Sequence, residues 1–139
     1  MEIAFLDSMK SDSREKILVD RLQLISDLRF VEIWLKYPRF PMLGVLINSD
    51  DAFLQAFRFQ GDPGFFSNNP SRSECDELVE FELENGQVDE FPSKSCYTKK
   101  EAIRACLDFA VDGKFPDWID WIYAGMDGAD SPNDKLSPE

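Results

Sequence analysis

The chain has 139 residues, with 27 acidic against 15 basic side chains, a formal net charge of −12 and no histidine. That length suits one domain able to bury a core without metal or disulfide staples. The acidity disfavours nucleic acid and anionic membrane as partners and favours a basic protein. The missing imidazole removes the usual general base and the commonest zinc and iron ligand.

The apolar fraction of 43%, with 12 phenylalanines and 3 tryptophans, predicts a folded protein. No apolar run approaches the roughly 18 residues of a membrane span. Residues 1–7 lack the basic start and small-residue cleavage site of a signal peptide, so the cytoplasm is the expected location. Cys75, Cys96 and Cys106 are odd in number and lack Cys-x-x-Cys spacing, which argues against a disulfide scaffold or a zinc site. Neither cofactor nor metal is expected.

In chain order, Met1 to Leu6 reads as an edge strand or a loose end. Asp12-Ser13-Arg14-Glu15 forms a capping box that opens a helix through about Leu28. Ile17, Leu18, Leu22, Leu24, Ile25 and Leu28 give it a broad apolar face. Phe30 to Lys36 is rich in β-branched and aromatic residues and predicts a strand. Pro38 and Pro41 make a turn of the next segment. Met42 to Ile47 and Ala52 to Phe59 are two more strands, joined through Asn48-Ser49-Asp50-Asp51.

Gly61 to Glu77 is a long irregular segment with room for a short strand around Phe65 to Ser67. Leu78 to Leu83 alternates apolar and acidic, the pattern of a half-exposed strand. Asn85-Gly86 is the best hairpin signal, since both residues accept positive φ. Gln87 to Phe91 returns as the partner strand. Thr98-Lys99-Lys100-Glu101 is a capping box, and Ala102, Ile103, Ala105, Cys106, Phe109 and Ala110 recur on one helix face. Cys106 is most simply a small core residue. Gly113 ends that helix and Pro116 prevents it from resuming. Residues 125–139 turn to Gly, Asp, Ser and Pro and predict a frayed tail after a domain spanning 1–124. The expected fold is α+β: an antiparallel sheet with an N-terminal helix and a second helix from the C-terminal half packed on one face.

One ordered set of residues resembles a known family. Glu101-Ala102, then Phe109-x-x-x-Gly113-x-x-Pro116-x-x-x-x-Trp121, is similar to the C-terminal signature of immunity protein family one. Pro41 to Val45 and Asn48 to Ala52 resemble that family's central hairpin, and Gly61 to Phe65 the glycine-containing stretch after it. The resemblance covers roughly residues 28 to 123. It implies a bacterial protein that binds and neutralises a cognate toxin of a polymorphic or contact-dependent system, and it places Trp121 in the core. A toxin acting on nucleic acid, such as a nuclease or nucleobase deaminase, fits the acidic charge best. The alternative is an acidic interaction module in an unrelated pathway.

Chemistry finds little support in the residues. No Gly-x-Ser-x-Gly, P-loop or dinucleotide fingerprint is present. Carboxylate pairs such as Asp50-Asp51 or Asp117-Asp120 are expected by chance among so many acids. Asp127 to Asp134 lacks the ligand spacing of an EF-hand loop.

Candidate partner-binding residues are therefore aromatic and acidic. Trp118, flanked by Asp117 and Asp120, reads as an interface anchor with an acidic rim, or as a plain packing tryptophan. Phe65 and Phe66 lie beside Asp62, and a strand there would bury one ring and leave the other exposed. Asp50 and Asp51 are better read as turn formers. Glu80, Glu82 and Glu84 share one face if their segment is a strand, either as a solvated surface or as part of a docking surface.

Overall fold

The computed structural model describes residues 1–6, 8–72, 77–126 and 128–134. Its main body is a mostly antiparallel, mixed seven-stranded sheet carrying two helices on one face and a separate two-stranded hairpin on the other. The elements are β1 (Glu2–Ala4), α1 (Ser11–Leu24), β2 (Phe30–Lys36), β3 (Met42–Asn48), β4 (Asp51–Phe57) and β5 (Phe65–Asn68). Then come β6 (Leu78–Glu82), β7 (Val88–Pro92), a 3₁₀ turn (Ser93–Ser95), β8 (Tyr97–Thr98), α2 (Lys99–Asp112) and β9 (Asp120–Tyr123). Strand order is β1-β2-β3-β4-β5-β9, with β8 also pairing β4 and only β1 running parallel to its neighbour. No helix among the described residues is long and apolar enough to cross a membrane.

The alternation of β2 is regular: Val31, Ile33 and Leu35 are buried, and the residues between them are half-buried. β3 breaks that rule, because Leu43 to Ile47 are all buried. It is covered on both faces, by helices below and the hairpin above, so both sets of side chains leave water. The helix-side core joins Val31, Ile33, Leu43, Val45 and Leu54 to Leu18, Phe109 and the small residues of α2. Ala102, Ala105, Cys106 and Ala110 let that helix lie close against the sheet.

The capping box of α2 forms as its sequence predicts. The Glu101 N–H donates to Thr98 Oγ1 at 3.1 Å, and the Thr98 N–H donates to Glu101 Oε1 at 3.0 Å. Gly113 leaves the helix at φ 74°, its N–H donating to the Phe109 carbonyl.

The first helix departs from expectation at both ends. It begins at Ser11, with Lys10 in the cap position and no side-chain cap, rather than at a box built on Asp12. Its start is held by Arg14 instead, which donates to Met9 O and reaches Ala110 O at 2.7 Å and Val111 O at 2.5 Å. Those last two carbonyls belong to the end of α2, where unpaired acceptors and the helix dipole both favour a cation. The helix also stops at Leu24, so Leu24 (80% exposed) and Leu28 (52%) point to water and the apolar face is narrower than the pattern suggested.

The hairpin forms where Asn85-Gly86 signals it. Of those two residues only Gly86 has positive φ (89°). The Gly86 N–H donates to Leu83 O and the Leu83 N–H to Gln87 O. This is a three-residue connection closed by a left-handed glycine. The hairpin then leaves the main sheet and lies across it, packing Phe81 and Phe91 on Leu46 and Phe53. Glu32 of β2 pins its turn, accepting from the Trp34 indole N–H (2.8 Å) and the Glu84 N–H (3.0 Å). Those two bonds hold the Glu32 carboxyl below its ordinary pKa, although burial opposes them.

Residues 128–134 are not a frayed extension. Ala129 packs on the helix-side core and Pro132 is buried. Asn133 clamps Phe115 through its N–H (2.9 Å) and its carbonyl (3.0 Å). Residues 135–139, and Asp127 within the expected tail, lie outside the described residues.

Gly44 shows how tightly the hairpin-side face is made. A Cβ there would fall 2.4 Å from the Trp34 ring, which lies flat over this residue. Gly44→Ala is expected to cost about 1–3 kcal/mol by forcing the indole off the sheet. A urea transition with a lower midpoint and unchanged slope is the expected readout. An unchanged midpoint would mean that the ring has room to move.

Candidate protein-binding face

The register places a continuous row on the face opposite the helices: Trp34, Gly44, Gln55, Phe66 and Ile122, one from each of five neighbouring strands. The hairpin covers only part of this face. β6 packs over β2 and β3, and Asn48 Nδ2 donates to the Glu80 carbonyl at 2.8 Å. β7 lies toward β4, where Phe91 stacks on Phe53 with centroids 3.7 Å apart and planes within 6°. Beyond β7 the face is open. It forms a groove of about 540 Å³ lined mainly by Phe53, Phe66, Phe91, Pro92 and Ile122, with Gln55, Asn68, Ser95 and the cationic Lys94 as its polar members.

Asp120 and the outward carboxylates of the hairpin make the neighbouring surface acidic, although Lys94 lines the groove itself. Asp120 shares the groove face of β9 with Ile122, and its Oδ2 accepts from Asn68 Nδ2 at 2.7 Å. On the hairpin, Phe81 faces the sheet, so Glu80 and Glu82 face outward. Glu90 stands directly across from Glu80. The bonds Leu83 N–H to Gln87 O and Ser93 N–H to Glu77 O fix which pairs of this ladder exchange hydrogen bonds. Counting by twos, Glu80 and Glu90 fall at a pair that does not, where side chains approach most closely. Like charges so placed are destabilising. None of Glu80, Glu82 and Glu90 forms an ion pair among the described residues.

The expected site residues therefore divide. Phe66 and Asp120 lie at the groove, whereas Glu80 and Glu82 lie on the outward side of the hairpin over β2 and β3, with Glu82 lining a separate hollow beside Met1 and Arg29. Glu84 does not share their row as expected, because it lies in the hairpin turn; Glu90, from across the ladder, takes its place. Nothing in the local pattern of β6 could have named Glu90, which depends on register.

Asp62 and Phe65 are corrections. Asp62 is buried and locked to Arg58, with Nε to Oδ2 and Nη2 to Oδ1 both at 2.9 Å. Its carboxylate also accepts from the Arg58 and Gly64 N–H groups at 2.9 and 3.2 Å. Burial pushes its pKa up, but the Arg58 guanidinium and these N–H donors outweigh that and hold it below the ordinary carboxylate value. Arg58 in turn lies over the rings of Phe59, Phe65 and Tyr123. Phe65 is 2% exposed on the helix side, which leaves Phe66 as the ring on the open face.

Trp118 and Asp117 lie with α2, on the side of the sheet away from the groove. The Trp118 indole N–H donates to Asp108 Oδ2 at 2.9 Å, Arg104 covers one ring face at 4.3 Å, and Tyr97 meets it edge-on. These contacts hold the half-buried ring against α2. Trp121 packs against the helix-side core, its N–H donating to Pro116 O at 2.9 Å. Asp51 opens β4 and pairs with Arg72 at 2.8 Å, and Asp50 accepts from the Lys99 N–H through its carbonyl. Both serve the turn.

Two thiols are placed for packing. Burial pushes Cys96 and Cys106 up to about 12, so neither is a thiolate near neutral pH. Cys75 lies outside the described residues. No family model and no curated protein matches this chain.

Proposed function

We propose that this chain is an immunity protein that binds a cognate, basic toxin domain through its hairpin-side face and inactivates it stoichiometrically. The observation that carries the reading is the row of uncompensated carboxylates, Glu80, Glu82 and Glu90, beside an aromatic groove. A monomer gains nothing from setting Glu80 opposite Glu90 with no cation between them. A basic partner turns that cost into attraction, and the apolar floor supplies area that charge alone does not. The immunity assignment itself rests on the ordered residues from Pro41 to Trp121 that resemble family one. A toxin that handles nucleic acid presents a cationic active site, which an acidic face can occupy in place of the substrate.

Coexpression tests this. The reading frame neighbouring this gene is expected to be toxic alone and harmless beside this chain. A frame without toxicity, or one that still kills beside this chain, overturns the immunity reading and favours an adaptor with another basic partner.

A further inference from the structure

The free edge of β7 adjoins the groove, and the two together suit one kind of segment. In the β6–β7 ladder the residues that exchange hydrogen bonds are the odd-numbered ones, as the Leu83–Gln87 and Glu77–Ser93 bonds show. The backbone N–H and C=O groups of Val88 and Glu90 therefore point away from β6, toward the open side. No partner for them occurs among the described residues. The opposite edge of the hairpin is treated differently, because the outward Glu80 carbonyl is taken by Asn48. The last outward carbonyl of β7, that of Pro92, faces the Cys96 thiol at 3.7 Å. Two residues of edge remain available, and beside them the floor is Phe66 and Ile122, the latter 40% exposed.

We infer that an extended, basic segment of the partner adds to β7 as a third strand of the hairpin, setting alternate apolar side chains into the groove. This rests on the reading of the hairpin-side face as the surface that meets a basic protein. Main-chain bonds to Val88 and Glu90 supply register, and alternate side chains divide between the two sides of the new strand. Those facing the sheet cover Phe66 and Ile122. Those facing outward lie level with Glu80, Glu82 and Glu90, where lysine or arginine is favoured. A two-stranded hairpin is marginal alone, and a third strand is the ordinary way to complete it.

The test uses the whole chain and two capped synthetic peptides of one composition. One alternates lysine with valine and phenylalanine; the other has its lysines grouped at one end. The alternating peptide is expected to bind about tenfold more tightly. It is also expected to slow amide hydrogen exchange at Val88 and Glu90. Compared with Glu90→Gln, which loses the same charge, Glu90→Pro also removes an outward N–H without touching the bonds to β6, and should cost about a further tenfold in affinity for the alternating peptide alone. Glu90→Gln keeps the N–H, so exchange at position 90 still slows although binding weakens. Exchange is measured on the native sequence, so the test survives a proline variant that folds poorly. Equal, salt-sensitive binding of both peptides with unchanged exchange at Val88 and Glu90 overturns strand addition and leaves the acidic-face reading standing. Slowed exchange along Asp120 to Tyr123 instead moves the added strand to β9 and also overturns it. Binding of neither peptide overturns both.

Discussion

Asp62→Ala is expected to destabilise the fold by about 3–5 kcal/mol, the largest single effect of any acidic residue here. The Arg58 and Asp62 side chains are 5% and 0% exposed, so removing the carboxylate leaves a guanidinium buried without its counter-ion. The pair also ties the end of β4 to the Gly61–Gly64 turn, from which β5 and then β9 take their register. Asp62→Asn should cost nearly as much, since it preserves shape and loses charge. Replacing both partners with apolar residues, Arg58→Met with Asp62→Leu, should recover much of the loss, because no buried charge then remains. Acid supplies an independent check. The folded-state pKa of Asp62 is lowered, so its contribution is present above the ordinary carboxylate pKa and is lost as pH falls through the folded value. Asp62→Asn should flatten that part of the acid limb. Chemical denaturation at several pH values measures both effects, and a loss under about 1 kcal/mol for Asp62→Ala would show that the pair is solvated.

Arg58 and Asp62 also show where the sequence is readable and where it is not. An Arg-x-x-x-Asp pair beside Gly-Asp-Pro-Gly reads as loop polarity, and only the packing of Phe65 and Tyr123 around it makes it core. Short-range signals transfer well: the Thr98–Glu101 box, the Gly113 stop, and the extents of β2 and β3 depend on neighbours within a few residues. The start of α1 does not, because it is set by Arg14 reaching the end of α2, nearly a hundred residues away.

The hairpin is legible as a hairpin, and its placement is not, for a related reason. Period-two alternation in Leu78 to Leu83 specifies a strand with one dry face, and it is silent on which layer that face meets. Placement in a second layer is decided by Phe91 stacking on Phe53 and by Asn48 and Glu32 gripping the hairpin's backbone. That placement puts Glu80 and Glu82 on the same side of the sheet as Phe66 and Asp120, although nothing in their spacing relates them. Trp118 was the more conspicuous aromatic, yet Asp108, Arg104 and Tyr97 already occupy it.

Glu90→Lys combined with Glu82→Lys is expected to move stability and binding in opposite directions. An ammonium opposite Glu80 replaces a repulsive cross-strand pair with an attractive one, worth about 0.2–1 kcal/mol in favour of the fold. The same two changes raise the charge of the hairpin-side face by four units. If this face binds a basic toxin domain as proposed, association with that domain should slow by about ten- to a hundredfold at low salt. Most of that difference should vanish at high ionic strength, where screening shortens the reach of surface charge to about 3 Å at 1 M salt. Phe66→Ala, by contrast, removes apolar floor and leaves charge alone, so it should act on dissociation and persist in salt. Stopped-flow association and thermal unfolding of the same variants separate these contributions. If the lysine variant folds more stably and still associates at the unaltered rate, the carboxylates are a solvated surface and the partner docks elsewhere. If it associates slowly at every salt concentration, shape and not charge governs the encounter. Only a salt-dependent loss together with a gain in stability shows that the fold tolerates a repulsive pair for the sake of its partner.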